Sequence, residues 1–154
     1  MPYVMFYKHF PQVAVNQTRV ITLLQQTEFD LPAGEYAFTE MYCDEKGCDC
    51  RRVMFSVIYN RTQIAATIAY GWESPEYYAR WMGDNDPNGI EQLKGPTTSM
   101  LSPQSEKADE ILKMLKSLVL TDEKYVERLK EHYRMFRERI DKPRRRRGII
   151  KLRR

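Results

Sequence analysis

The chain has 154 residues, a length that fits one domain, and its 42% hydrophobic and 30% charged residues are typical of a globular protein. This composition excludes a collagen, a mucin-like stalk and a low-complexity linker. The formal net charge of +4 is unevenly placed, because eight of the 25 basic residues lie in 142–154, where no acidic residue occurs. The other 17 basic residues face 21 acidic ones, a net charge of −4. We therefore predict one domain over 1–141 and a basic, flexible tail over 142–154.

The first half of the chain has the patterns of an antiparallel meander. Residues 3–30 fit either a strand followed by a short helix or two strands. Alternating and β-branched residues predict strands over 35–42, 52–60 and 63–70, with a hairpin connection at 60–62.

The second half has helical patterns. Ser74 and Pro75 form an N-cap signal for a helix that ends at Gly83, and the glycines and prolines of 83–103 predict a long irregular connection. A second N-cap signal at 102–103 precedes apolar residues at helical spacing. The last helix begins at Thr121 or Asp122 and ends before Pro143. Strands followed by helices predict an α+β domain, an antiparallel β-meander packed against a C-terminal helical hairpin.

The cysteines are the sharpest chemical feature of the sequence. Cys43, Cys48 and Cys50 lie between two predicted strands with the spacing C-x4-C-x-C, so their thiols can converge. Three converging thiolates suit zinc, which prefers sulfur ligands in tetrahedral geometry. The motif leaves the fourth ligand open, and the candidates are His132 on the last helix, His9, Asp44, Asp49 and a water molecule. A reactive thiolate and ordinary reduced cysteines are the alternatives to a metal site.

The compartment follows from the same residues. Three clustered cysteines do not make a disulfide framework, and no apolar run is long enough for a transmembrane helix. The first ten residues lack the pattern of a signal peptide. We therefore expect a reducing, cytoplasmic location.

Several stretches together carry a resemblance to known proteins. These are 38–43 with 52–53, 71–75 and 125–130, centred on the hairpin Y-C-x4-C-x-C-R-R. They resemble small uncharacterised bacterial proteins that share this cysteine hairpin. The resemblance covers most of 35–140 and implies a shared fold, and it implies no activity.

The basic tail predicts a polyanionic partner. Its charges can neutralise phosphates and release counterions, which gives affinity for RNA or DNA without sequence specificity. A targeting or protein-binding role and a purely solubilising role are the alternatives. The predicted nucleic-acid-binding residues are Arg144, Arg145, Arg146, Arg147, Lys151, Arg153 and Arg154.

These features together predict a zinc-stabilised, non-enzymatic binding module whose tail contacts nucleic acid or a ribonucleoprotein. One alternative is a zinc-dependent hydrolase-type enzyme with an open metal position, in which Glu45 or Glu40 acts as the base. Another is a protein-interaction domain that uses an aromatic surface around Trp72 and Trp81.

Overall fold

A computed structural model describes residues 3–25 and 27–143 of the chain. These residues form one compact α+β domain, as the sequence predicts. The strands are β1 (Tyr3–Met5), β2 (Arg19–Leu23), β3 (Gly34–Cys43), β4 (Arg52–Tyr59), β5 (Gln63–Gly71) and β6 (Thr97–Thr98). The α-helices are α1 (Pro11–Gln17), α2 (Pro75–Met82), α3 (Pro87–Lys94), α4 (Ala108–Met114) and α5 (Glu123–Asp141).

The six strands form one antiparallel sheet in the order β1-β3-β4-β5-β6, and β2 also pairs with β3. Successive strands β3, β4 and β5 are neighbours, so the predicted meander is confirmed. The β4–β5 connection is a tight hairpin in which Asn60 and Arg61 both have positive φ, at 46° and 70°. This conformation matches the right-handed twist of the flanking strands.

Alternation along β3 separates the two faces of the sheet. Every second residue from Tyr36 to Tyr42 is buried, and the residues between them are only partly covered. The buried face packs against α4 and α5, with fully buried side chains such as Phe55, Ile111 and Phe136 between the layers. The C-terminal helices therefore cover one face of the sheet, which is the predicted packing.

Helix α2 begins and ends where the sequence predicts. The Ser74 side chain accepts a hydrogen bond from the Tyr77 N–H, and Gly83 ends the helix with a left-handed φ of 77°. The prediction for 83–103 is wrong, because this segment contains α3 and β6. The Asp86 carboxylate accepts hydrogen bonds from two backbone N–H groups at the start of α3, and Pro87 is the first residue of the helix. Asp and Pro are common in turns, but here they act as the N-cap and the first residue of a helix.

The structure confirms the two predicted C-terminal helices, but the first of them begins later than predicted. Helix α4 begins at Ala108, and Pro103 instead lies in a loop where its carbonyl oxygen accepts a hydrogen bond from the Thr67 hydroxyl. A π-helical turn (Leu115–Val119) follows α4. The Asp122 carboxylate then caps the N-terminus of α5.

Candidate metal centre

The three cysteines lie in and beside the loop that connects β3 to β4, as the sequence predicts. Cys43 ends β3, and Cys50 lies two residues before β4 begins; both are fully buried. Cys48 lies on the loop between them and is partly buried. The loop turns back at Gly47, which has a φ of 78°, and the Cys48 N–H donates to the Glu45 carbonyl oxygen at 3.2 Å.

Cys43, Glu45 and Cys48 form a group that can hold a metal ion. Their ligand atoms, two sulfurs and a carboxylate oxygen, all lie within 4.8 Å of one another. Two sulfurs on one tetrahedral zinc ion, at about 2.3 Å each, would be about 3.8 Å apart. The group therefore needs shifts of at most about 1 Å to reach ligand geometry.

Cys50 adjoins this group through Cys48. Burial is the main influence on the Cys48 thiol and raises its pKa, and the charge of Cys50 raises it further. Burial likewise raises the pKa of the Cys43 and Cys50 thiols; the charge of Cys48 raises the pKa of Cys43 further, and the charge of Cys43 raises the pKa of Cys50. Buried neighbouring thiols are therefore held in the protonated state, because three thiolates without a cation would repel one another. A divalent cation reverses this balance by replacing the protons.

Arg137 of α5 holds the cysteine loop in place. Its guanidinium donates hydrogen bonds of 3.0 Å to the carbonyl oxygens of Cys48 and Glu45. The residue is 8% exposed, and its Nε is buried without a hydrogen-bond partner among the described residues. The positive charge lowers the pKa of Cys43, against the effect of burial. Arg137 thus places a buried cation beside thiols that become anionic when they bind a metal.

Other contacts from α5 fix the same loop. The Gly47 N–H donates to the Asp141 carboxylate at 2.8 Å, and the Arg51 N–H donates to the Tyr133 hydroxyl at 3.1 Å. Arg51 has a φ of 51°, which is unusual for a residue with a side chain. A helix from the far end of the chain therefore determines the path of the loop.

The aromatic stretch at 70–81 supports the loop from the other side. The Tyr78 hydroxyl donates to the Arg51 carbonyl oxygen at 2.8 Å, and the Tyr77 hydroxyl donates to the carbonyl oxygen of Asp49. Trp72 packs against the Tyr133 ring at 5.1 Å, and Trp81 is 38% exposed. Most of this stretch therefore packs inside the domain, and of its aromatic residues Tyr70, Trp72, Tyr77, Tyr78 and Trp81, only Trp81 is exposed.

The structure does not bring His132, the predicted fourth ligand, to the cysteines. Its Nδ1 lies 2.7 Å from a Glu40 carboxylate oxygen, and its Nε2 lies 2.7 Å from the Gln17 amide oxygen. The ring stacks on Phe6 at 4.4 Å. Both nitrogens of this buried histidine are engaged in contacts that join α5 to β3 and α1.

The other side chains predicted as a fourth ligand are also absent from the group of Cys43, Glu45 and Cys48. The His9 ring packs edge-on against Phe136 at 5.2 Å. Asp49 pairs with the Arg51 guanidinium at 2.9 Å, and this hydrogen bond lowers the pKa of the Asp49 carboxyl. Asp44 is outside the metal-ligating group found among residues 3–25 and 27–143.

Glu45 and Arg137 are the site residues that the ligand prediction missed. Glu45 precedes Cys48 by three residues, and this short separation within a turning loop was the available sequence signal. Arg137 carries no such signal, because it lies 89 residues from Cys48 and resembles the other charged residues of the last helix.

The predicted nucleic-acid-binding residues, Arg144 to Arg147, Lys151, Arg153 and Arg154, lie outside the described residues. Within the described part of the chain, no helix combines the length and apolar character needed to cross a membrane. Comparison with protein-family models, curated proteins and solved structures gives no match for this chain.

Proposed function

We propose that the protein is a zinc-stabilised binding module whose basic tail contacts nucleic acid. The proposal has a metal half and a nucleic-acid half. The metal half rests on the group of Cys43, Glu45 and Cys48, which lies in a loop held by Arg137. Thiolates with one carboxylate are a suitable ligand set for zinc, and they are poor ligands for calcium or magnesium.

A structural role for the metal fits this loop better than a catalytic role. Glu45 lies in the ligand group with Cys43 and Cys48, and Cys50, which adjoins Cys48, is the candidate for a fourth protein ligand. Four protein ligands leave no position for a reacting water, which is typical of structural zinc sites. In this proposal Glu45 is a ligand, and the hydrolase alternative loses its base at that position.

The charge distribution supports the nucleic-acid half. The segment 142–154 has a net charge of +8, whereas residues 1–141 have a net charge of −4. A polyanion is therefore repelled weakly by the domain and attracted strongly by the tail. Binding through the tail is expected to tolerate many sequences, because phosphates carry no base information.

Metal analysis of the purified chain tests the metal half. We expect one zinc per chain, and titration with cobalt should give the charge-transfer absorption of thiolate–cobalt bonds. Cys48→Ser should lower the affinity for zinc at least tenfold, because it removes the thiol that adjoins both others.

Asp44→Asn is the matched control, because Asp44 lies in the same loop and outside the ligand group. It should leave zinc binding within a factor of about two. A wild-type chain that binds neither zinc nor cobalt would overturn the metal half of the proposal.

Electrophoretic mobility shifts with a 20-nucleotide single-stranded RNA test the nucleic-acid half. Seven contacts from the tail predict that the logarithm of affinity falls with the logarithm of salt with a slope of about −5. Changing Arg144, Arg145, Arg146 and Arg147 to Gln should weaken binding at least tenfold at 100 mM salt.

Four exposed lysines of the domain provide the control, since changing them to Gln removes the same charge. Binding should change less than threefold in this variant. Equal losses in the two variants would mean that overall charge, and not the tail, determines binding. The control residues are Lys8, Lys113, Lys116 and Lys124.

A further inference from the structure

The second face of the sheet carries an apolar feature that the metal site does not use. Met5 pairs with Met41, and Met41 pairs with Met54, so three methionines lie in one row across β1, β3 and β4. All three side chains are partly exposed. Helices α4 and α5 pack on the opposite face, and on this face Gln92 and Leu93 of α3 line the same cavity as Met54.

A ridge of two apolar residues stands beside the methionine row. Met100 is 81% exposed and Leu101 is fully exposed, in the loop that follows β6. The Thr67 N–H donates to the Gln104 amide oxygen at 3.0 Å and the Gln104 amide nitrogen donates to the Thr67 carbonyl oxygen at 2.8 Å, which holds this loop on strand β5. The ridge is therefore anchored at its base while its tip points away from the domain.

Two cavities flank the ridge, and Leu101 lines both. One has a volume of about 550 Å³ and contains the three methionines, and the other, of about 510 Å³, contains Met54 and Met100. Each volume is within the range of about 300–1,000 Å³ that encloses a compact ligand, so each can hold two large side chains.

The lining is suited to burial against an apolar partner. Arg52 is the one charged residue among the described residues that line the two cavities. Its guanidinium donates to the Leu93 carbonyl oxygen at 2.6 Å and to the Tyr3 hydroxyl at 2.7 Å, and the residue is 6% exposed. A partner that covers this surface would not bury an exposed charged side chain. The flexible methionines can adapt to the partner's shape.

We propose that a second copy of this chain covers this surface. An exposed apolar ridge between two apolar cavities is complementary to itself: about a two-fold axis, each ridge enters a cavity of the other copy. No other partner is needed to explain why two highly exposed apolar side chains, Met100 and Leu101, adjoin cavities of matching size.

The available area is sufficient for a weak dimer. With strands about 4.8 Å apart and residues about 3.3 Å apart, eight residues each of β3 and β4 and the three residues of β1 give a face of about 300 Å². The ridge adds on the order of 200 Å², so the two copies together would bury about 1,000 Å². This area is typical of weak, transient interfaces, and we expect a dissociation constant on the order of 10 μM.

Sedimentation velocity of the full chain between 1 and 200 μM tests this inference. Samples contain one equivalent of zinc and 300 mM salt, so that the domain keeps its metal and nucleic acid does not join two copies. We expect the mass to rise from 18.3 kDa toward twice that value with increasing concentration. Leu101→Asp should raise the dissociation constant at least 30-fold, and because Leu101 is fully exposed the variant should fold normally.

Leu24→Asp is the matched control, because Leu24 is 75% exposed and does not line either cavity. It should leave the dissociation constant within a factor of about three. The inference is overturned by a chain that stays monomeric at 200 μM, by a dimer that Leu101→Asp leaves intact, or by equal effects of the two substitutions. These outcomes are independent of zinc and nucleic-acid binding.

Discussion

Arg137 combines two roles that a surface residue of the last helix would not have. It satisfies two loop carbonyl oxygens, and it brings a buried positive charge to thiols that lose protons when metal binds. A buried guanidinium is expensive to desolvate, so its retention in the fold depends on these partners. The loop geometry and the electrostatics of the site therefore rest on the same side chain.

Replacing Arg137 with Met should lower the free energy of unfolding by about 2–4 kcal/mol, because two charge-assisted hydrogen bonds are lost. Zinc affinity should also fall, since the loop and its counter-charge are both removed. Chemical denaturation and competition with a zinc chelator measure the two effects.

Arg139→Met is the control for Arg137→Met. Arg139 lies on the exposed side of α5, with its guanidinium 4.7 Å from the centre of the Phe10 ring. Its loss should cost no more than about 1 kcal/mol. Equal destabilisation by the two substitutions would contradict the role assigned to Arg137.

Gly71 is constrained by the tyrosine that supports the loop. A Cβ at this position would lie 2.2 Å from the Tyr78 hydroxyl oxygen and 2.5 Å from its ring. Gly71→Ala should therefore displace Tyr78 and lower the free energy of unfolding by about 2–3 kcal/mol. Thermal and chemical unfolding measure the loss.

Gly83→Ala gives the comparison for Gly71→Ala. A Cβ there would meet no atom within 4 Å, and only the positive φ of 77° opposes it. The expected loss is about 1 kcal/mol. If both substitutions cost the same, the contact with Tyr78 does not constrain Gly71.

At the scale of elements, His132 joins helix α5 to β3 and α1. The Glu40 carboxylate accepts a hydrogen bond from the Tyr42 hydroxyl at 2.7 Å and also contacts His132. Strand β3 and helix α5 therefore share one buried polar network. Buried polar networks of this kind are costly to disrupt, because the remaining partners lose their hydrogen bonds. The histidine is therefore explained by packing between elements.

His132→Ala should lower the free energy of unfolding by about 3–5 kcal/mol, because it leaves a cavity and unpairs Glu40 and Gln17. Zinc stoichiometry, measured on the folded variant at low temperature, should remain that of the wild type. A specific loss of zinc from folded His132→Ala, with Cys48→Ser as the reference, would restore the histidine as the fourth ligand.

At the scale of the whole molecule, zinc binding should depend steeply on pH. Burial raises the pKa of Cys43, Cys48 and Cys50, so the metal-free chain carries these thiols protonated at neutral pH. Each thiol that binds zinc releases a proton, and the affinity therefore rises with pH and falls in acid. Three thiols predict a rise of up to about 1,000-fold per pH unit below their pKa values.

Chelator competition at pH 6.0, 6.5 and 7.0 measures this slope, and Cys48→Ser should reduce it by about tenfold per pH unit. A wild-type affinity that changes less than about 100-fold per pH unit would mean that fewer than two thiols bind the metal.

The sequence by itself determined the elements whose patterns are local. Period-two alternation predicts β3, β-branched and aromatic residues predict β4 and β5, the Ser74-Pro75 signal predicts α2, and an N-cap predicts α5, because these signals act within a few residues. It also placed the cysteines near one another in the β3–β4 connection, since a hairpin returns the chain to the same place, and Cys43 and Cys48 are the two that lie in the metal-ligating group.

Only the tertiary structure decided which residues accompany the cysteines. Glu45 entered the ligand group and His132 did not, although the helical pattern places His132 close to the apolar stripe. The packing of α5 on the sheet sets this choice, by bringing Arg137 to the loop and His132 to Glu40. Such contacts join residues about 90 positions apart, and no local pattern encodes them, because they depend on how a helix rotates and slides against a sheet.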